Sequence, residues 1–547
     1  MAHTVCGSGS VKWAERVFIA LLALPVIGLI WQGAGGVSGQ PIQAGLRYLA
    51  QEPALFQSIT LTLCVAAGSV MLSLWATAWL TFRVVSASQS DRFLSLTLAI
   101  PHSALALGVL LFFGASGVLV RWLLSGSAEV TLPDYLFPKD RYGLGVLLVL
   151  VLKESAFLTL LAIPLARRLP LQASFHMTRE CGWSDWQAWR RLVWPQVRRM
   201  LRAPILVVFA FSLANLEIAL VLGSDQTPFV AVRMLRWLTD PSPVAQQAGA
   251  IAILALLLVL VFISLFWFRL DRALSMQLPS QVTASSQHLW SISVAGWVFL
   301  CGALVALLLW SVAGFWAVDS AWPTVTGRSI ARLGLFPDVW LTTVTLGVLV
   351  AVLSVALAVV WLECMTRSRQ VTLSWVWWGY LWMPALPMTA GLLGWLYLLG
   401  LNPGFGAVVF AHVLLALPYC LVVLSDAWLE RPESERIVVA QSGLSAVQAL
   451  WRVWIPKHSV SLLAAFAVAF SVSLGLYTQT LLLGGGRVET LITELVVNLS
   501  GDRRSAAAFA LGNTLLPWVA FALTAWCGRM LWRNRRGMQG GTHARAQ

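Results

Sequence analysis

The chain has few side chains that could do chemistry, and four of them lie inside apolar runs. Lys153 and Glu154 are adjacent in one run, and Glu217 follows Asn215 by two residues in the next. Charge inside such a run is costly and points to function by default. One reading is that these residues line a gate in a polar path. The other is a buried ion pair or hydrogen bond that fixes helix packing, although adjacent helical positions point about 100° apart.

A second set of polar residues recurs in two loops that are versions of one another. The first loop covers residues 173–199, and the second loop covers residues 433–458. In each loop a Gly precedes a Pro by 13 positions, with Ser, Gln, Ala and Arg in register between them. The shared positions are Gly182, Ser184, Gln187, Ala188, Arg191, Pro195, Gly443, Ser445, Gln448, Ala449, Arg452 and Pro456.

Each loop predicts a short amphipathic helix, because apolar side chains follow each Gly at i, i+3 and i+7. Those side chains are Trp186, Trp189, Val193, Val447, Leu450 and Trp454. We expect each helix to begin after the Gly and to end before the Pro, which cannot continue the hydrogen-bond ladder. One interpretation is a helix at the lipid interface with Trp and Arg as anchors. The repetition at equal spacing favours a surface that binds a partner.

The sequence contains no catalytic or cofactor pattern. It has no G-x-x-x-x-G-K-[ST] phosphate loop, so we do not expect ATP hydrolysis by that route. The seven cysteines are scattered without a CxxC pair, which indicates neither a disulfide framework nor a metal site. His102 and His412 are interpreted as packing residues rather than metal ligands. We therefore predict no enzyme activity, metal or cofactor in this chain.

The composition predicts an all-α polytopic membrane protein. Of the 547 residues 59% are hydrophobic and 11% are charged, against about 25% charged in a soluble domain. An apolar run of roughly 20 residues is long enough to cross a bilayer as a helix. The predicted spans lie near residues 16–35, 56–82, 93–115, 143–166, 202–223, 246–268, 290–316, 339–362, 372–399, 405–425, 459–484 and 506–528.

The net charge of +14 is interpreted through membrane topology rather than nucleic-acid binding. Lys and Arg concentrate in the cytoplasmic segments of membrane proteins. Twelve spans with a cytoplasmic N-terminus put 25 of the 37 Lys and Arg in cytoplasmic segments. This orientation predicts that both termini and both loops are cytoplasmic.

The sequence indicates an internal duplication, because features of the first half recur in the second at constant differences in residue number. Pro101 to Gly108 matches Pro384 to Gly391, for example, and about 22 extra residues fall in the external stretch near 116–142. Six helices per half give two parallel, pseudo-symmetric halves. The predicted units are a first half at 1–270 with its core at 58–268, a cytoplasmic linker at 271–289, and a second half at 290–547 with its core at 338–528.

The loop pattern Gly-x-Ser-x-x-Gln-Ala-x-x-Arg-x-x-x-Pro resembles the cytoplasmic "EAA" loop of permease subunits of ABC importers, which forms a coupling helix. The chain departs from that family before the Gly. Where Glu-Ala-Ala would stand it has His176-Met-Thr178 in the first loop and Ile437-Val-Val439 in the second.

The two-half arrangement is similar to the fused type I permeases of the iron(III) and thiamine type. Three short stretches look closer still to the YnjC-type permeases: Ala99-Ile-Pro-His102, Lys153-Glu-Ser-Ala-Phe157 and Leu491-Ile-Thr-Glu494.

The resemblance implies a permease in the bacterial inner membrane that forms the solute pathway of an importer. Two copies of a separate ATPase subunit would bind ATP and engage the two loops, and an extracytoplasmic binding protein would deliver a small polar solute or metal ion. The alternative is an ion-coupled secondary transporter, since parallel six-helix halves occur there too.

Overall fold

The fold was analysed in a computed structural model. It describes residues 8–86, 92–125, 137–274, 286–317, 319–368, 381–429 and 431–533. Within these residues the fold is all-α, as predicted, and the only β-type pairing described is an isolated bridge between Ala313 and Val325. The core is built from apolar faces of helices from both halves.

The longer helices and the broken spans of the first half are Ser8–Gly33, Leu55–Ser86, Arg92–Ala99, His102–Phe113, Leu144–Arg167, Arg202–Leu213, Glu217–Leu222 and Pro243–Leu274. Those of the second half are Ser286–Val312, Pro337–Ser368, Ala385–Leu398, Phe405–Leu429, Ser459–Gly475, Tyr477–Gly484 and Arg503–Arg533.

Short helices connect these elements and form the two loops. In the first half they are Ile42–Gln51, Val118–Leu124, Leu171–Glu180, Asp185–Ala188, a π-helix at Trp189–Val193, Trp194–Met200 and Val230–Leu238. In the second half they are Arg328–Leu333, Glu433–Gln441, Ala446–Ala449, a π-helix at Leu450–Trp454, Ile455–Lys457 and Leu491–Asn498.

Each of the twelve predicted spans coincides with an apolar helical segment. Eight helices among the described residues are long and apolar enough to cross a membrane, and a ninth candidate is a pair of helices bent by 81° at His458. Three further apolar helices are shorter, at Ile19–Gly33, Gly296–Val312 and Ala385–Leu398. The start of the predicted span 372–399 and residues 275–285 of the predicted linker lie outside the described residues.

Three of the spans have a break between two helices whose bounds are both described, where the sequence predicts continuous helices. One break falls at Pro101, whose ring and missing N–H prevent the helix from continuing. A second follows Leu213, where the Asn215 Oδ1 accepts a hydrogen bond from the Ile218 N–H at 2.9 Å and begins a new helix. The third separates Ser459–Gly475 from Tyr477–Gly484, at the matching place in the second half.

The two halves repeat the same packing. Leu55–Ser86 packs against Leu144–Arg167, and Pro337–Ser368 packs against Phe405–Leu429 in the same way. A hydrogen bond from a backbone N–H to a threonine hydroxyl also occurs in both halves.

In the first half the Val230 N–H donates to the Thr62 Oγ1 at 3.1 Å. In the second half the Leu491 N–H donates to the Thr343 Oγ1 at 3.0 Å. Equivalent contacts in both halves are what a duplicated fold requires.

The first helix of each half packs against the other half. Ser8–Gly33 packs against Ala385–Leu398, and Ser286–Val312 packs against His102–Phe113. The first of these crossings is very close, since a Cβ on Gly391 would lie 2.0 Å from the carbonyl oxygen of Pro25. The missing side chain lets the two backbones touch.

Gly391→Ala should therefore destabilise the folded protein by about 1–3 kcal/mol, the usual cost of overpacking a close contact. The measurement is the fraction of monodisperse protein that survives heating in detergent. Gly406→Ala is the matched control, because Gly406 is helical and a Cβ there would meet nothing within 4 Å. Equal heat resistance of the two variants would contradict the close crossing.

Candidate functional site

The recurring Gly, Ser and Gln of the two loops build one local structure twice. Gly182 and Gly443 have left-handed backbones, with φ of +77° and +71°. Two residues later Ser184 begins a helix with a capping box. The Ser184 Oγ accepts from the Gln187 N–H at 3.3 Å, and the Gln187 Oε1 accepts from the Ser184 N–H at 3.0 Å.

Ser445 and Gln448 form the same pair of hydrogen bonds, again at 3.3 and 3.0 Å. The motif residues Ser and Gln are thus positioned to start the helix. The spacing S-x-x-Q is a readable capping signature, so the sequence already contained this information.

Ser184→Ala or Ser445→Ala should weaken the start of its loop helix by about 1 kcal/mol, because one backbone donor loses its side-chain acceptor. Faster hydrogen exchange of the backbone amides just after the substituted residue is the expected result. Ser→Asp at the same position is the matched control, since Asp caps equally well. Unchanged exchange in the Ala variant would argue against the cap.

Neither loop helix ends before its Pro, so that part of the sequence prediction is wrong. The helical path continues through a π-helical turn into Trp194–Met200, with Pro195 in the first turn of that helix. The Trp194 N–H donates five residues back, to the Trp189 carbonyl. This wider turn absorbs the missing N–H and the bulk of the proline ring, which an unbroken α-helix does not tolerate.

The buried face of the first loop follows the predicted stripe. Trp189 is fully buried, and its Nε1–H donates to the carbonyl oxygen of Ala78 at 2.9 Å. Phe82, on the same span as Ala78, contacts both Trp186 and Trp189, with ring centroids 5.2 and 5.8 Å away. The first loop is therefore packed against the C-terminal end of Leu55–Ser86.

The stripe of the second loop is only partly buried. Trp454 is buried and Leu450 is half-buried, but Val447 is 65% exposed, so part of the apolar stripe lies at the protein surface. The small motif residues Ala188 and Ala449 are buried in both loops.

Sequence reasoning missed the group of residues that holds the second loop. The Arg431 guanidinium lies 3.0 Å from the Glu363 carboxylate and stacks over the rings of Trp428 and Trp454, at 4.5 and 4.1 Å. The Trp428 Nε1–H also donates to Glu363 at 3.0 Å. This ion pair links the second loop to the ends of two spans, and Glu363 at the end of an apolar run was the available signal.

Two cationic side chains at the surface of the first loop, Arg179 and Arg191, have partners within the loop. Arg191 stacks over Trp183 at 4.9 Å and is exposed, as is its counterpart Arg452 in the second loop. Arg179 forms a two-pronged contact with Asp185, with N···O distances of 2.6 and 2.7 Å. Hydrogen bonding to that guanidinium lowers the pKa of the Asp185 carboxyl below its ordinary value.

Inside the membrane region, Lys153 completes a broken helix. Its Nζ donates to the carbonyl oxygens of Thr97, Leu98 and Ile100, at 3.0, 3.0 and 2.6 Å. These carbonyls lie at the C-terminal end of the helix Arg92–Ala99 and just beyond it, where a helix runs out of its own backbone donors. An ammonium group there also complements the helix dipole, so the contacts support the packing interpretation of Lys153.

The structure brings Glu154 and Glu217 close enough to Lys153 for electrostatic interaction. Glu154 is buried. The Glu217 Oε1 accepts a hydrogen bond from the Tyr477 N–H at 3.3 Å. Glu217 begins the short helix after the break of the first half, and Tyr477 does so in the second half. This contact therefore joins the two halves at their matching breaks.

His102 and His412 lie in packing or hydrogen-bonding positions. The His412 Nδ1 lies 2.9 Å from the Ser473 Oγ, and its Nε2 lies 3.2 Å from the Thr480 Oγ1. The His102 ring packs against Phe211. In the part of the chain that the structure describes, no three His, Cys, Asp or Glu side chains are grouped so that they could hold a metal.

An all-α membrane protein with repeated packing and two matching polar loops has the features of a transport subunit. No protein-family model matches the chain. It is 33% identical over 448 residues to the inner membrane ABC transporter permease protein YnjC of Escherichia coli, covering 81% of each chain. It is 25% identical over 464 residues to the thiamine transport system permease protein ThiP of Salmonella typhimurium, covering 79% of this chain and 80% of that one.

The chain belongs to the permease family of ABC transporters. The fused, two-half permease type predicted from the sequence is consistent with both relatives, and the chain is a multi-pass protein of the inner membrane.

Proposed function

We propose that this chain forms the solute pathway of an ABC importer and couples that pathway to ATP hydrolysis by two separate ATPase subunits. The observation that carries the proposal is the duplicated, capped helix start at Gly182 and Gly443. Two equal rigid elements on a transport subunit that has no phosphate loop of its own fit two copies of one partner.

Coupling would run from each loop to the end of a span. Closure of the ATPase pair on ATP would move both loops, and hydrolysis would release them. The Trp189 hydrogen bond to Ala78 and the Arg431 contact with Glu363 provide stiff links for that motion. Such a transition needs contacts that differ between two states.

The contact between Glu217 and Tyr477 is a candidate for one of those differing contacts. It bridges the halves at the two helix breaks, so a path between the halves would open only if it separated. Here Glu154 and Asn215 would shape the site around Glu217, and Lys153 would hold the neighbouring helix break in place.

For the solute we propose a small polar molecule or metal ion, delivered by an extracytoplasmic binding protein. The name of the relative ThiP, a thiamine transport permease, supports a solute of that class. Both termini and both loops would face the cytoplasm, as the distribution of Lys and Arg favours.

Copurification and reconstitution test the proposal together. The chain should copurify with a P-loop ATPase encoded beside it, and uptake into proteoliposomes should require that ATPase, the binding protein and ATP. Uptake driven by an ion gradient with no ATPase present would overturn the proposal in favour of a secondary transporter.

A further inference from the structure

We infer that the two loops dock their ATPase copies by different chemistry, the second loop through apolar contacts and the first loop through polar and charged ones. This inference rests on the proposed function, since it takes the ATPase as the occupant of both loops. It adds which loop holds its ATPase copy by which type of contact.

The second loop exposes four large apolar side chains, on short helices that follow one another in the chain. Val438, Val447 and Trp451 are each 65% exposed, and Ile437 is 51% exposed. An apolar cluster at the protein surface marks a contact site when it is contiguous, and aromatic side chains dominate the energy of such contacts. Trp451 follows the capped helix start by six residues, so a rigid element presents it.

The first loop has different residues at the four matching positions, 261 residues earlier in the chain. They are His176, Met177, Trp186 and Arg190. Only Met177 is an exposed large apolar side chain among them, because Trp186 is half-buried against Phe82. One other large apolar side chain of the first loop is exposed, Leu192 at 41%.

The first loop, which exposes fewer large apolar side chains, has more charged residues than the second. The first loop carries five Arg and two acidic residues, and the second carries two Arg, one Lys and two Glu. The first loop contains the ion pair of Arg179 with Asp185, and the second contains that of Lys457 with Glu435. The other basic residues of the first loop are Arg190 and Arg198, which are half-buried, and Arg191 and Arg199, which are exposed.

A protein occupant is favoured over the lipid surface, because the relatives place the chain among ABC transporter permeases, which work with ATPase subunits. A bilayer rich in anionic headgroups does not explain why the exposed apolar side chains belong to the loop with fewer cations. Two copies of one ATPase present the same surface, so the difference in contact chemistry arises from the loop side chains themselves.

Salt separates the two types of contact. Exposed charges interact over roughly 10 Å at 0.1 M salt but only about 3 Å at 1 M, whereas apolar burial does not weaken with sodium chloride in this way. We expect the nucleotide-free complex to hold two ATPase copies at low salt. At about 1 M salt the copy on the first loop should leave, so that one ATPase per permease remains.

Exchanging the matched residues Trp451 and Arg190 shows which loop holds its ATPase copy by which type of contact. Trp451→Arg gives the second loop the side chain of the first, and it should lower ATPase affinity at the second loop by at least tenfold. The expected complex then holds one ATPase at low salt and none at about 1 M. Arg190→Trp is the reciprocal variant and should keep both copies at about 1 M. Native mass spectrometry of the detergent complex reads the stoichiometry directly.

The inference fails if both ATPase copies leave wild type at the same salt concentration, or if Trp451→Arg retains two copies under all conditions. The second result would assign Trp451 to the lipid surface. Either failure leaves the proposed function standing, because wild type would still copurify with the ATPase. Absence of any ATPase from the wild-type protein would instead overturn the proposed function itself.

Discussion

Replacing Gly182 or Gly443 by Pro should reduce ATP-driven uptake at least tenfold while the protein still inserts in the membrane. Both glycines have φ near +70°, and Pro is held near −65°. The turn cannot then form, and the capping Ser two residues later loses its position. Uptake and ATPase activity, measured together in proteoliposomes, should show ATP hydrolysis that no longer drives transport.

Asn and Ala at the same positions are graded controls. A Cβ at Gly182 or Gly443 would meet nothing within 4 Å, so the backbone conformation is the only obstacle. Asn visits the left-handed region with little cost and should preserve uptake within about twofold. Ala costs about 1–2 kcal/mol there and should fall between Asn and Pro. Normal uptake in both Pro variants would contradict docking at these loops.

Much of the fold could be predicted from the sequence because its signals are local or repeated. The apolar spans need only composition, and the duplication needs only equal spacing, as with Gly182 to Pro195 and Gly443 to Pro456. The buried stripe of the first loop also followed from helical periodicity. These features depend on residues close together in the chain.

The rest depends on contacts between residues far apart in the chain. Glu363 and Arg431 are 68 residues apart, and nothing in their spacing indicates that two Trp rings would enclose the pair. Val447 matches Trp186 in pattern but differs in burial, because the first loop has Phe82 to pack against. The π-helical turn before Pro195 also escapes a helical-periodicity argument, which assumes 3.6 residues per turn throughout.

The role of Lys153 shows how the structure decides between two readings that the sequence left open. Its three acceptors lie 53 to 56 residues earlier, at the break before Pro101. An ammonium group with three carbonyl partners is positioned to hold a helix break rather than to meet a solute. Glu154 and Glu217 lie close enough to interact with it electrostatically.

Lys153→Met should therefore destabilise the folded protein by about 3–5 kcal/mol, the usual result of removing one partner from a buried charged group. Three backbone carbonyls lose their donor, and two carboxylates lose the nearby positive charge. The measurement is the monodisperse fraction after heating in detergent. A second substitution, Glu154→Gln, should restore part of the loss in the Met variant because it removes one uncompensated carboxylate.

Uptake per folded molecule separates the two roles of Lys153. If the side chain only holds the helix break, the Met protein that remains folded should transport within about threefold of wild type. If it lines the path, heat resistance should be unchanged while uptake collapses. The hydrogen bonds to Thr97, Leu98 and Ile100 favour the first result, because a side chain that released these three carbonyls to meet a solute would leave the end of the helix Arg92–Ala99 without its donor.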